Sequence, residues 1–271
     1  QKAGMDVRMT IPCQENGSHE CELEFRCQKE NLKYSFQKYV VSAIPEDIDI
    51  VSVLNDYEEM KQYIKECHPH IVHSTQLNVC VEMVCRELGI PHIMNIYQID
   101  SRFFRRRYPD VFPHYHICDS ILFQNEWKKY LKLDSVCIRN ECMMIEGKKE
   151  SNEFPIAVCA GIVAERKNQL EIIKAVHRMI QEDMPVILRM IGRAQGEYAQ
   201  QCREYIAKNN LEKWIRMEGY ISYAEKEIAK CDVLICGSKT ESFPNVIGEA
   251  MASGTFVIST PVAGVPEILE D

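Results

Sequence analysis

The stretch that decides the fold is "ESFPNVIGEAMASG", residues 241–254, with two glutamates, Glu241 and Glu249, on either side of a Phe-Pro-Asn turn. The residues before it, "KCDVLICGSKT", form a continuous apolar run ending in a Gly-Ser turn, and those after it, "TFVIST", form another. Short, two-sided apolar runs of this kind mark strands buried on both faces of a parallel sheet. The glutamates therefore stand at a strand-to-helix turn, on the sheet edge where open α/β sheets hold their ligands.

Working outward, the pattern repeats from residue 155 onward. "PIAVCAGIV", "VILRMIGR", "WIRMEGY" and "VLICGS" alternate with the amphipathic "NQLEIIKAVHRMIQED", "EYAQQCREYIAKNN" and "AEKEIAKC". This is the signature of βα units building a parallel sheet, with right-handed crossovers placing the strand-end loops along one edge. The earlier half repeats the pattern more loosely. "HIVHST" precedes the helical "LNVCVEMVCRELG", "PHIMNIY" is a further strand, and "SILFQN" is expected to be a strand before the helix "EWKKYLKL".

Two α/β domains are expected, residues 1–146 and 147–271, joined where "ECMMIEGKKESNEF" (141–154) breaks the periodicity with Gly and charge. Residues 1–46 are left without a role. "CQENGSHECELEFRCQKENLKYSF" fits a short β-meander with a hairpin turn at Asn16 and Gly17.

Composition narrows the function classes. With 271 residues, 46% hydrophobic and 27% charged, at net charge −8, the chain has no general attraction to polyanions, so nucleic acid is not an expected partner. No apolar run approaches the length of a membrane span, and the first residues lack a secretory hydrophobic region, so the expectation is a cytoplasmic protein. The 13 cysteines contain no C-x-x-C pair, and several lie inside apolar strands. They are read as reduced core residues rather than a disulfide framework.

Around the two glutamates, Pro244 suits the first turn of a helix. The N–H groups of residues 244–246 would then face outward at the positive end of that helix, ready for phosphate. Glu249 shares a helix face with Asn245, and Gly248 beside it implies tight packing or the close approach of a ligand. In "AGIVAERKNQ", Arg166 and Lys167 follow another strand and reach the same edge. Two cations and a helix N-terminus describe a diphosphate pocket, with Glu249 on a ribose diol and Glu241 towards a further sugar. Solvated side chains on a loop and a helix are the plainer alternative for each residue taken singly.

Together these stretches resemble the retaining GT-B glycosyltransferases of family 4. "ESFPNVIGEAMASGTFVISTPVAGVPEIL" carries the family's Glu-x7-Glu spacing, and "GIVAERKNQLEIIKAV" is similar to its G-R-L-x-x-x-K-G stretch. "RMIGRAQGEY" resembles the strand and loop that follow, and "PHIVHSTQ", "GIPHIMNIY" and "CDSILFQNEW" match strand ends of its acceptor domain. The resemblance implies two Rossmann-like parallel-sheet domains facing a cleft. It implies transfer of a sugar from a UDP- or GDP-linked donor to a glycan, lipid-linked or protein acceptor, with no metal and no other cofactor.

It also implies roles by residue: Glu241, Ser242 and Phe243 towards the transferred sugar, Lys167 on the diphosphate and Glu249 on the ribose, with Arg166, Pro244 and Asn245 completing the donor site. Departures accompany it. Ile162 stands where the family usually has an arginine, and Tyr97 stands where its acceptor domain often has a histidine, with His73 as a neighbouring strand-end candidate. The family normally continues past "PEILED", so an incomplete donor domain is expected. The alternatives are a donor-binding accessory subunit without turnover and a nucleotide-sugar epimerase.

Two other signals stand apart. "SRFFRRRY" places Arg105, Arg106 and Arg107 among aromatics, which suits peripheral contact with an anionic membrane or a phosphorylated acceptor. A solvated helix face has the same spacing. "PHYHIC" puts His114 and His116 on one face of an extended segment, but no third ligand at a suitable spacing completes a metal site.

Overall fold

The computed structural model describes residues 5–12, 27–29, 31–37, 50–75, 79–96, 115–142, 144–145, 149 and 152–269. The chain divides into two compact units, one of Gln1–Cys118 with Glu126–Val136, the other of Asp119–Asn125 with Cys137–Asp271.

In the first unit, β1 (Arg8–Pro12) and β2 (Lys33–Gln37) form a parallel two-stranded sheet. Parallel strands require a long crossover, so a meander is excluded for this pair, and the residues between them include a helical turn at 27–29. The hairpin expected at Asn16 and Gly17 lies outside the described residues. The second sheet runs in the order β3 (Val72–Thr75), β4 (His92–Ile96), β5 (Tyr115–Cys118), β6 (Val136–Cys137). β3, β4 and β5 are mutually parallel. Helices α1 (Ile50–Cys67) and α2 (Val79–Leu88) pack together through Met60, Ile64, Val81, Val84 and Cys85.

One expectation is overturned here. "SILFQN" is not a strand: α3 (Ile121–Leu131) begins inside it, and the strand is the preceding "YHIC". The reason is capping. The Ser120 hydroxyl accepts from the Phe123 N–H at 3.2 Å, and the Glu267 carboxylate accepts from the N–H groups of Ile121 at 2.9 Å and Leu122 at 2.8 Å. Three of the first-turn N–H groups that a helix cannot satisfy for itself are thus met from outside it.

The second unit is a five-stranded parallel sheet, β7 (Ile156–Ala160), β8 (Ile187–Ile191), β9 (Ile215–Gly219), β10 (Val233–Cys236) and β11 (Phe256–Ser259), in the spatial order β11-β10-β7-β8-β9. The connecting helices are α4 (Gln169–Gln181), α5 (Glu197–Lys208), α6 (Ala224–Ile228) and α7 (Asn245–Ala252). β7 is buried at every residue because it serves two cores. Ala157 and Cys159 face the cluster containing Ile173, Leu188 and Met190, while Ile156, Val158 and Ala160 face the one containing Leu234, Ile247 and Ala250.

Chain order reverses at β7, with β8 and β9 to one side and β10 and β11 to the other. That switch point opens a crevice beyond the carboxyl ends of β7 and β10. Beside it, the backbones that leave β7 and β8 are close-packed: a Cβ on Gly192 (φ +148°) would lie 2.0 Å from the Gly161 carbonyl oxygen. Gly192→Ala is expected to lose about 3 kcal/mol or more, from the φ penalty and the overpacking together. A urea midpoint equal to that of the parent protein would refute this.

Among the described residues Cys27, Cys85, Cys118, Cys159, Cys202, Cys231 and Cys236 are free and buried, and Cys67, Cys137 and Cys142 are free and partly buried. Burial pushes the thiols of Cys159 up to about 12 and Cys202 to about 11, so both are unreactive. No described helix is long and apolar enough to cross a membrane.

Candidate donor-binding site

β7 is followed by Gly161, whose φ of +134° turns the chain out of the sheet. The loop that follows is held by Gln169, itself buried: its amide donates to the Ile162 carbonyl at 2.9 Å and accepts from the Ala164 N–H at 3.2 Å. A 3-10 turn at Glu165–Lys167 then brings the Lys167 side chain back over the sheet edge, where its Cε would lie 3.7 Å from a Cβ on Gly161. β10 is followed by Gly237, and the loop that begins there carries Ser238 and Glu241 to the same place.

There the two loops join through charge. Glu241, with its side chain only 8% exposed, accepts at Oε1 from the Lys167 ammonium and, at 2.6 Å, from the Ser238 hydroxyl. The Arg166 guanidinium stands 3.9 Å from Oε2, and the Lys239 N–H donates to the Arg166 carbonyl at 2.8 Å. The structure thus brings Arg166, Lys167 and Glu241 into one cluster, with Glu241 as the counter-ion of Lys167. Ser238 was not anticipated; its only sequence signal is its place at a strand end in "CGSKT".

Beyond Glu241, Ser242 and Phe243 lead into α7, which starts at Asn245 with the buried Pro244 immediately before it. Pro244 therefore caps the helix rather than opening its first turn, and it has no N–H, so the outward donors of that turn begin at Asn245. The Asn245 side chain accepts from the Asn140 amide at 2.7 Å, and the Arg139 guanidinium lies 5.9 Å from the centre of the Phe243 ring. Glu249 lies one turn further along α7, half-buried. The glycine beside it is explained by packing, because a Cβ on Gly248 would come within 2.4 Å of Cys142 Sγ. The Cys142 thiol is raised by burial and by the nearby Glu249 charge.

Other named residues fall elsewhere. Ile162, 49% exposed, sits at the mouth of the loop holding Lys167. Arg193, which follows Gly192 at the end of β8, stacks on Tyr220 at 5.6 Å from the end of β9. Its carbonyl accepts from the Val163 N–H at 2.8 Å, tying that loop to the one after β7. In the other unit His73 bonds Asn95 at 2.8 Å. Tyr97, His114 and Arg105, Arg106 and Arg107 lie outside the described residues. Among the described residues no group of three or more His, Cys, Asp or Glu side chains is placed to hold a metal ion. A separate depression of about 490 Å³ is lined by Glu165, Glu171 and Glu197 with Lys239. Its charge has the wrong sign for a diphosphate.

Comparison with known proteins bears on the fold. Residues 154–271 match the family model described as glycosyl transferases group 1. An uncharacterized glycosyltransferase of Methanocaldococcus jannaschii is 25% identical over 81% of this chain, which spans 64% of that protein's length. The alpha-maltose-1-phosphate synthase of Mycobacterium tuberculosis is 27% identical over 43% of this chain and 31% of its own. Among solved structures, a glycosyltransferase from Rickettsia africae superposes with a TM-score of 0.73 at 15% identity, covering 97% of this chain and 81% of that one. Anabaena HepE, solved with UDP and glucose, gives 0.74 at 14% identity, covering 98% and 83%. The fold is GT-B, and the C-terminal part of the chain, from residue 154, matches the glycosyl transferases group 1 family.

Proposed function

We propose that the chain transfers a sugar from a nucleoside diphosphate-sugar to an acceptor, and that the crevice beyond β7 and β10 is where the donor's diphosphate binds. The observation that carries this reading is the convergence of Lys167, Arg166 and the start of α7 around Glu241. Two cations and a helix N-terminus stabilise the negative charge that develops on a departing diphosphate, which is the electrostatic part of the catalysis. Lys167, already paired and fixed, needs little reorganisation to exchange its Glu241 contact for a phosphate oxygen. Glu241, released in that exchange, would then accept hydrogen bonds from the hydroxyls of the transferred sugar.

Glu249 would take the ribose diol. Transfer proceeds with retention and without a metal ion, the leaving phosphate assisting deprotonation of the acceptor hydroxyl. UDP is the first nucleotide to test, since HepE was solved with it. The acceptor is a glycan or a lipid-linked glycan, reached in the cytoplasm or, through the arginines at 105–107, at a membrane surface.

The test is calorimetric titration with UDP, GDP and ADP and their glucose or mannose conjugates, with and without magnesium. Selective binding of one nucleotide without metal is expected. Glu249→Ala should weaken it about 100-fold or more, the loss of two charge-assisted hydrogen bonds. Unchanged affinity would remove Glu249 from the ribose. Binding without consumption of the sugar conjugate would favour the accessory-subunit reading, for which the exposed Ile162 is the motivating observation.

A further inference from the structure

Four stretches of the second unit meet behind the Glu241–Asn245 loop: residues 119–122, 139–142, 241–245 and 264–267. Their polar groups are mostly matched. Glu267 receives the Ile121 and Leu122 N–H groups and stands 3.3 Å from Arg139 Nη2. The Gly264 N–H donates to the Ser242 carbonyl at 3.0 Å. The contact is too close for a side chain at Gly264, where a Cβ would lie 2.5 Å from the Ser242 oxygen and 3.2 Å from Ser120 Cβ.

Asp119 is the exception. It is 1% exposed, and neither carboxyl oxygen has a hydrogen-bond partner of good geometry. Its polar neighbours are the Ser242 side chain and its own backbone amide, and the formal charge that faces it is Glu267, of like sign. Among the charged groups packed at this junction, Arg139 is engaged with Glu267, and Glu241 is engaged with Lys167. A carboxylate held here is an uncompensated buried charge, whereas the neutral acid can donate its O–H to Ser242. The closed junction therefore favours the protonated group, and an opened, hydrated one favours the ion.

We propose that Asp119 is a positioning residue for the Glu241–Asn245 loop, holding it closed as a neutral carboxylic acid and releasing it on ionisation. The proposal rests on reading that loop as donor-binding, but the test does not. Burial pushes the Asp119 carboxyl up to about 6, with Ser242 and its own amide opposing and Glu267 adding to the rise. The sign follows: closure is strongest below the ordinary carboxylate range and weakens as pH rises towards about 6 and a little beyond.

Hydrogen exchange at the Gly264 amide, corrected for the intrinsic rate, reads the junction directly and uses no nucleotide. In the unaltered chain its opening is expected to increase about tenfold from pH 5 to pH 7.5, the factor that linkage assigns to a carboxyl near 6. The amides of β7 should show no such change. Asp119→Asn, whose carboxamide can donate to Ser242 at any pH, should stay at the low-opening level throughout. Equal opening of the unaltered chain at both pH values, or an Asp119→Asn profile that tracks it, would overturn the proposal. Failure to bind any nucleotide would refute only the donor reading.

Discussion

Lys167→Ala is expected to lower the affinity for UDP by about 100-fold or more, the scale on which removing one member of a desolvated charge pair acts. Two effects add. The ammonium that would meet the diphosphate is gone, and Glu241, 8% exposed, is left facing the incoming anion with only the half-exposed Arg166, 3.9 Å away, as a counter-ion. The double variant Lys167→Ala/Glu241→Gln separates them. If the uncompensated carboxylate dominates, the double variant recovers part of the affinity; if the missing cation dominates, it recovers none. Titration at fixed ionic strength is required, because Arg166, half-exposed and 3.9 Å from Glu241, makes a contribution that salt screens. Wild-type affinity in Lys167→Ala would remove the diphosphate from this crevice.

The second large effect concerns stability. Arg189 on β8, its side chain 11% exposed, makes a two-pronged contact with Glu218 at 2.8 Å from Nε and from Nη2, and Nη2 also reaches Glu227 at 2.8 Å. A β-bulge positions this network. The register passes from Met190↔Met217 to Ile191↔Gly219, leaving Glu218 opposite no residue of β8 and free to turn towards Arg189. Arg189→Ala strands the Glu218 carboxylate, 20% exposed, and leaves Glu227, 19% exposed, with Lys230 as its remaining cation. A loss of about 3–5 kcal/mol is expected, read as a lower urea midpoint.

Replacing all three, as Arg189→Met with Glu218→Gln and Glu227→Gln, should recover most of that loss, since the penalty is for stranded charge rather than for a missing ion pair. The network also has a pH signature. Lys230 and Arg189 hold the Glu227 carboxyl below its usual range. Its contribution is therefore present above the ordinary glutamate value and disappears as pH falls through the depressed one. If Arg189→Ala unfolds at the same urea concentration as the parent protein, the network carries no net stability.

A smaller network in the other unit obeys the same chemistry. His92 bonds Glu82 at 2.7 Å and Ser74 at 2.8 Å, joining α2 to β3 and β4. Burial acts to raise the Glu82 carboxyl, but His92 and Arg86 together outweigh it and leave it lowered. Nothing in the apolar spacing of "VEMVCREL" distinguishes Glu82 from the exposed Glu87, because helical periodicity records which face is buried and not which polar group on it has found a partner.

The sequence by itself determined the doubly wound sheet of the second unit. Its signal is local: each strand is a short run whose alternate residues face two cores, as Ala157 and Val158 do on β7, and each helix shows its apolar stripe within a dozen residues. It also placed Lys167 and Glu241 at strand ends, which in a parallel sheet means one edge. What it could not decide was anything settled between distant residues. "SILFQN" has the composition of a strand and becomes the start of α3 because Glu267, 146 residues away, accepts the Ile121 N–H. Glu241 is the counter-ion of Lys167 across 74 residues, and Asp119 is buried against Ser242 by packing alone. Only tertiary structure decides such pairings, because hydrogen bonds, burial and charge depend on distance in space, while periodicity and propensity record only distance along the chain.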